Sequence, residues 1–391
     1  MKKMKKYIIA TVLLLILIIT SNIHADEITD KLDSPDWSIR YETVTYIIDN
    51  NLVQYTSALA DRIFIQPSLG IMHHFLEGLF ALQYVNIEQS IFQFINMCDQ
   101  FPQEQPLYYK VKATGFLVAL DNLTTVDYVF EYINIDPIEN GERFIPLLKE
   151  IAVKMPQHSQ TIKELLVNIK DNSDSYLLRR EAIEDLIFLF GENNLHNEIL
   201  ASITTDTDAN IRKFAMEHYN FADREDLLKQ QIQNDAHRYL RIMYVEDILK
   251  NYSQPEDLKF VIDYLPFEPD TNASWNIESQ IGLFFPPKPE NLEYNELISR
   301  LISYTDEMFR YGWIENGETR DYYAEGLTEV NESIKKINET IEACSIINKQ
   351  LLPQTEQDLQ EQLITEEGYK FLHYYTIYIK EEIEDEFGHC P

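Results

Sequence analysis

Glycine and cysteine are scarce in this chain, and its cationic side chains are heavily outnumbered. Only 11 glycines occur in 391 residues. No Gly-rich phosphate loop, G-x-S-x-G elbow or dinucleotide fingerprint is present, which removes the usual nucleotide-binding and hydrolase signatures. The three cysteines, Cys98, Cys344 and Cys390, form no C-x-x-C pair, so no thiolate metal cluster is encoded. Lysine and arginine total 33 against 65 aspartates and glutamates. Phosphate backbones demand basic footprints, so this balance argues against nucleic acid, and equally against docking on anionic lipid. Strand-like alternation of polar and apolar residues is hard to find. After residue 25 no stretch is apolar enough to span a bilayer.

What is present begins with a leader. Lys2, Lys3, Lys5 and Lys6 precede an apolar run over residues 7–20, then a short polar exit ending in Ala25. A cationic start, a short apolar centre and a small exit residue describe a secretory signal peptide, and the run is shorter than the roughly 20 residues of a membrane span. Residues 1–25 are thus expected to be removed, leaving a mature chain from Asp26 that is periplasmic, bound to the cell envelope or extracellular. A retained N-terminal anchor is the alternative. Hydrophobic residues make up 45% of the chain and aromatic residues 12%, too much apolar surface for a disordered acidic chain. Long stretches place apolar residues three and four apart, so the body is expected to be all-α.

One pattern recurs: an apolar helix, an Asp-rich break, then Ile or Leu followed by Arg at the start of a second helix. It reads Asp36-Trp37-Ser38-Ile39-Arg40, then Asp174 to Arg179, Asp206 to Arg212 and Asp235 to Arg241. The last three copies recur at intervals of roughly 30 residues, the length of one helix pair. The Asp suits the free N–H groups and positive dipole at a helix start. The Arg is expected to bond carbonyls or acids of an adjacent repeat. Ala182 and Ala215 allow neighbouring helices to approach. The Asp-x-Asp-x-x-Ile-Arg-x-x-Ala pattern resembles HEAT repeats, especially the phycobilisome-lyase type of HEAT-like repeat. That resemblance implies a curved α-solenoid over 26–265 that binds proteins; it implies neither lyase chemistry nor a bilin. Residues 65–155 carry helical spacing without the Asp/Arg signature and are expected to form degenerate helix pairs.

Pro266, Pro269, Pro286, Pro287 and Pro289 mark 266–290 as an ordered, proline-rich connector between two folding units. A proteolytic fragment starting near residue 290 is the expected consequence. Residues 291–391 are helical again without the repeat signature. Leu297, Ile298, Leu301 and Ile302 open the segment, a turn follows at Tyr311-Gly312-Trp313-Ile314, and an apolar stripe runs through Leu327, Ile334, Ile337, Ile341 and Ile346. Ile364-Thr365 opens the last helix, with Thr365 as a candidate cap. This layout resembles the small helical FIMAH domain of exported prokaryotic proteins, which implies a C-terminal helical bundle without catalytic residues. Cys344 and Cys390 are expected to pair, both lying in this unit of a protein bound for an oxidising compartment.

The search for chemistry yields little. His73, His74 and Glu77 form the most metal-like group, but only His73 and Glu77, four apart, would share a helix face, a zinc site needs a third protein ligand, and the zincin spacing is absent; a partly exposed histidine pair is the expectation. Paired acids such as Asp171/Asp174 and Asp206/Asp208 sit where helix caps belong. Neither a metal nor a cofactor is expected. Aligned on Arg179, Arg212 and Arg241, the fifth following residue is Glu184, Glu217 and Glu246, and the sixth is Asp185, His218 and Asp247. These glutamates would form a column on successive second helices, with Asp185 and Asp247 beside it. The expected function is therefore a non-catalytic, exported scaffold that binds a basic protein or peptide through that acidic surface. Two alternatives stand beside it: a hydrolytic or metal-dependent enzyme, with its site near His73 and Glu77 or between Trp275 and Trp313, and a structural envelope protein. Nothing in the sequence addresses oligomeric state.

Overall fold

The computed structural model describes residues 27–335, 340–388 and Cys390; the leader lies outside the described residues. Among the described residues every regular element is helical, and the only strand-like feature is an isolated antiparallel bridge between Ile314 and Ile364. No described helix is long and apolar enough to cross a membrane. The chain divides into two compact units, one ending at Ala215 and one starting at Met216. This division falls inside the helix Ala209–Glu217, not in the 266–290 segment expected to separate folding units.

The first unit is built from helix pairs. Leu69–Ala81 packs against Trp37–Asp49, Thr56–Arg62, Ile87–Cys98 and Pro106–Ala119. Val44, Ile47, Leu59, Phe75, Leu76, Leu79, Ile91 and Phe94 form its closed interior. The stretch without the Asp/Arg signature is also helical, through Asp127–Ile133 and Ile145–Lys154.

The repeated Arg, expected to bond an adjacent repeat, holds a carbonyl of its own break in all four copies. Its guanidinium donates to the carbonyl six residues earlier: Arg40 to Ser34, Arg179 to Ser173 at 3.1 Å, Arg212 to Asp206 at 2.8 Å and Arg241 to Asp235 at 2.7 Å. This closes the break over the start of the second helix and satisfies a carbonyl that no helix would pair. The guanidinium then reaches the next break. Arg179 lies 3.3 Å from Asp206, and Arg241 holds Glu268 through two nitrogens. Asp36 and Asp208 cap their helices as expected, accepting from Ser38 N and Asn210 N. In the second copy Ser175 does so in place of the exposed Asp174.

The same loop appears a fifth time, where the sequence suggests only a connector. Glu268 accepts from Asp270 N at 2.9 Å, and Asp270 caps the helix Thr271–Leu283 by accepting from Asn272 N and Ala273 N. Ser274 stands where the Arg would be, which hides the copy from a search for Arg. This helix packs on Arg238–Asn251 and Pro255–Tyr264.

The rest of the second unit is a bundle of Tyr294–Arg310, Gly317–Lys335, Thr340–Ile346, Leu352–Gln360 and Glu366–Phe387. A π-turn at Ile347–Leu351 precedes Pro353, whose ring cannot fit a regular α-helical turn. Two turns in the bundle mirror one another. Met308 O accepts Trp313 N and Ile314 N at 2.8 and 3.3 Å, and Asp358 O accepts Leu363 N and Ile364 N at 2.8 and 3.3 Å. Ile314 and Ile364 join the turns, and Thr365 caps the last helix as expected. Gly368 is required there, because a Cβ would sit 2.7 Å from Trp313 O. Ile341 is exposed, contrary to its place on the expected stripe, and Ile337 lies outside the described residues. Cys344 and Cys390 form a disulfide.

Candidate interaction surface

The sequence nominates Glu184, Asp185, Glu217, Glu246 and Asp247, and the structure sorts them into two kinds. Glu184, Glu217 and Glu246 are exposed. Glu184 stands in the first unit on the helix Tyr176–Phe190, where Arg180 donates to it at 2.9 Å; the Arg180 guanidinium also lies 4.7 Å from the Phe214 ring centre. Asp185 departs from the expectation. It is buried and ion-paired with Lys149, whose ammonium lies 4.4 Å from the centre of the Phe188 ring. Each helical residue turns the side chain by about 100°, so the neighbour of an outward Glu184 faces the helix Ile145–Lys154. Burial, with the Asp185 and Glu184 charges nearby, pushes the Glu181 carboxyl above its ordinary value.

Glu217 and Glu246 stand in the second unit and line one open cleft of about 340 Å³ with Met216, Arg224, Met243, Asp247, Lys250 and Asn251. Arg224 forms its base. That side chain donates to Met216 O at 2.5 Å and Tyr219 O at 2.7 Å, and to the Asp247 carboxylate. Asn251 donates to the other Asp247 oxygen. Asp247 therefore fastens the cleft wall, and the two glutamates form its outward rim.

His73 and His74 are both buried, contrary to the expected half-exposed pair. Glu77 bridges them, at 3.2 Å from His73 Nδ1 and 2.8 Å from His74 Nδ1, with Lys112 at 3.9 Å. Burial works against the Glu77 charge, but hydrogen bonds with His73 and His74 outweigh it and hold the carboxyl well below its usual range. Burial pushes His73 down, its ring lying among Phe94, Tyr109 and Phe116. His74 Nε2 is 3.0 Å from Thr45 Oγ1. Hydroxyl, imidazole and carboxylate thus follow one another in the order of a nucleophilic triad. Here, though, the Tyr41 ring stacks on His74 at 3.7 Å, and Thr45 Oγ1 donates to Tyr41 O within its own helix. The group ties Trp37–Asp49 to Leu69–Ala81. The other enzyme alternative finds Trp275 exposed on its helix and Trp313 buried against Phe371.

Sequence reasoning did not find one compact carboxylate group among the described residues. Glu225, Glu256 and Asp257 bring oxygens within 4.8 Å of one another. Lys229 supplies the cation there, at 2.6 Å from Glu225 and 2.7 Å from Asp257. Asp257 is fully buried and also accepts from Gln254 N. Burial pushes its carboxyl up to about 6 despite Lys229. The one local signal was a lysine directly after the apolar pair Leu227 and Leu228, on a helix that buries that stripe.

No family model, curated protein or solved structure matches this chain.

Proposed function

We propose that this chain is an exported, non-catalytic interaction scaffold: a HEAT-like α-solenoid followed by a FIMAH-like bundle, which captures a cationic protein or peptide on the outward glutamates of its second helices. The observation that carries this reading is the outward placement of Glu184, Glu217 and Glu246, the last two on one cleft rim. Their neighbours Asp185 and Asp247 are held by Lys149 and Arg224, so within each unit the glutamate stands beside a fastened acid. The acid excess of the whole chain favours a basic partner, and the Cys344–Cys390 disulfide suits an oxidising compartment.

A defined cationic ligand, a lysine-rich peptide, tests the reading. Binding should be fast at low salt and weaken as salt rises, because rim charges act through screened attraction. The triple variant Glu184→Lys, Glu217→Lys, Glu246→Lys should keep parental helicity and lose both the peptide and the partners recovered from the native envelope fraction. A folded triple variant that retains them all would reduce these glutamates to a solubilising face.

A further inference from the structure

Between the helices Thr271–Leu283 and Tyr294–Arg310 the chain runs extended as Phe284-Phe285-Pro286-Pro287-Lys288-Pro289. Phe284 has φ −65° and ψ 133°, polyproline II values, and the three prolines confine their own φ to the same range. This strap lies along one stripe of the helix Glu366–Phe387, whose side chains meet in turn the end of the preceding helix, Phe285, Pro286 and Lys288. Lys370 donates to Ile281 O and Gly282 O at 3.2 and 3.0 Å. Tyr374 meets the Phe285 ring edge to face at 5.2 Å. Tyr378 donates its hydroxyl to Pro286 O at 2.7 Å. Glu381 and Glu382 pair with Lys288 at 3.1 and 2.8 Å.

The two repeats are similar in length. From Tyr374 to Glu381 a helix rises about 11 Å. From Phe285 to Lys288, the strap residues these side chains meet, a polyproline II chain rises about 9 Å. Aromatic rings, a tyrosine hydroxyl on a prolyl carbonyl and an acidic pair for a nearby cation make up the chemistry by which grooves bind proline-rich peptides. A plain interhelical linker needs none of this register.

We propose that the stripe Tyr374, Tyr378, Glu381, Glu382 is a reader of proline-rich cationic peptides, and that residues 284–289 occupy it as a built-in competitor. The partner is a segment of another protein bearing an aromatic residue, adjacent prolines and a lysine at the strap's spacing. This site is independent of the glutamates of the proposed scaffold surface.

The probe is a synthetic peptide, Phe-Phe-Pro-Pro-Lys-Pro, titrated into the full chain. The tethered strap competes at an effective concentration in the millimolar range, so the parent should bind the peptide weakly. Lys288→Glu sets the strap against Glu381 and Glu382. It should tighten peptide binding by roughly tenfold, the equivalent of two partly exposed ion pairs lost from the competitor. Adding Glu381→Lys and Glu382→Lys should abolish that gain. A folded Lys288→Glu chain that binds no more tightly than the parent overturns the proposal. Should that variant fail to fold, the parent decides: at millimolar peptide it should be perturbed by the lysine peptide and not by Phe-Phe-Pro-Pro-Glu-Pro, and equal responses overturn the reading. Concentration-dependent dimerisation of the parent without peptide binding would assign the stripe to a second copy's strap and overturn it as well.

Discussion

Asp257 shows how much a single side chain can carry in this protein. It is fully buried, it caps Pro255–Tyr264 through Gln254, and Lys229 pairs with it at 2.7 Å. Burial pushes its folded carboxyl up to about 6, against an ordinary value of about 3.9. Between those values the folded chain binds the proton more firmly than the unfolded chain. This group therefore makes stability fall as pH rises from about 4 to about 6. Asp257→Asn keeps an oxygen for Gln254 N and removes the charge, so the stability profile measured by urea unfolding should flatten across that window. An unchanged slope would remove Asp257 as its source. Glu77 has the opposite sign. Its carboxyl is held low by His73 and His74, so its contribution is present at neutral pH and is lost as pH falls below the ordinary glutamate range.

The element that recurs is the loop closed by arginine. Arg241 is buried, and its partner Glu268 has a fully buried side chain. Removing one member of a buried pair strands the other, at a cost of about 3–5 kcal/mol. Arg241→Ala should lose stability of that order in chemical denaturation. Arg180→Ala, removing an exposed pair with Glu184, should cost about 0–1 kcal/mol. Equal losses would mean that the arginine acts through packing alone. The fifth loop, around Glu268 and Asp270, places Ser274 at the arginine position, so its hold on the following helix rests on Asp270. The mirrored turns of the bundle depend instead on backbone: Gly368 lets the last helix pass against Trp313 O.

At the scale of the molecule, charge dominates. The net charge of −32 opposes compaction, while many individual acids are paired. Raising ionic strength from 0.01 M to 0.15 M shortens the screening length from about 30 Å to about 8 Å. Exposed self-repulsion is then screened while buried pairs are spared, so the Tm should rise with salt in a thermal melt. A falling Tm would show that surface ion pairs outweigh the repulsion.

Helicity, the recurrence of the arginine after each break, the turn before Trp313 and the pairing of Cys344 with Cys390 were legible in the amino-acid order, although the carbonyl each arginine holds proved to be its own loop's. Each is written in local signals: apolar spacing, caps, turn residues and a shared segment. Arg40, Arg179, Arg212 and Arg241 all act on a carbonyl six residues away, a distance within reach of a short motif. The fate of the acids was not legible. Glu184 and Asp185 are adjacent, yet one meets water and the other Lys149, because the packing of Tyr176–Phe190 on Ile145–Lys154 decides which side of the helix is covered. His74 lies beneath Tyr41, Lys229 meets Asp257, and Lys288 meets Glu381 across a long stretch of chain. Such pairs depend on which helix faces come together. Helical spacing marks which face is apolar but leaves open what it packs against, so only the tertiary structure could separate the outward glutamates from the acids that hold the fold.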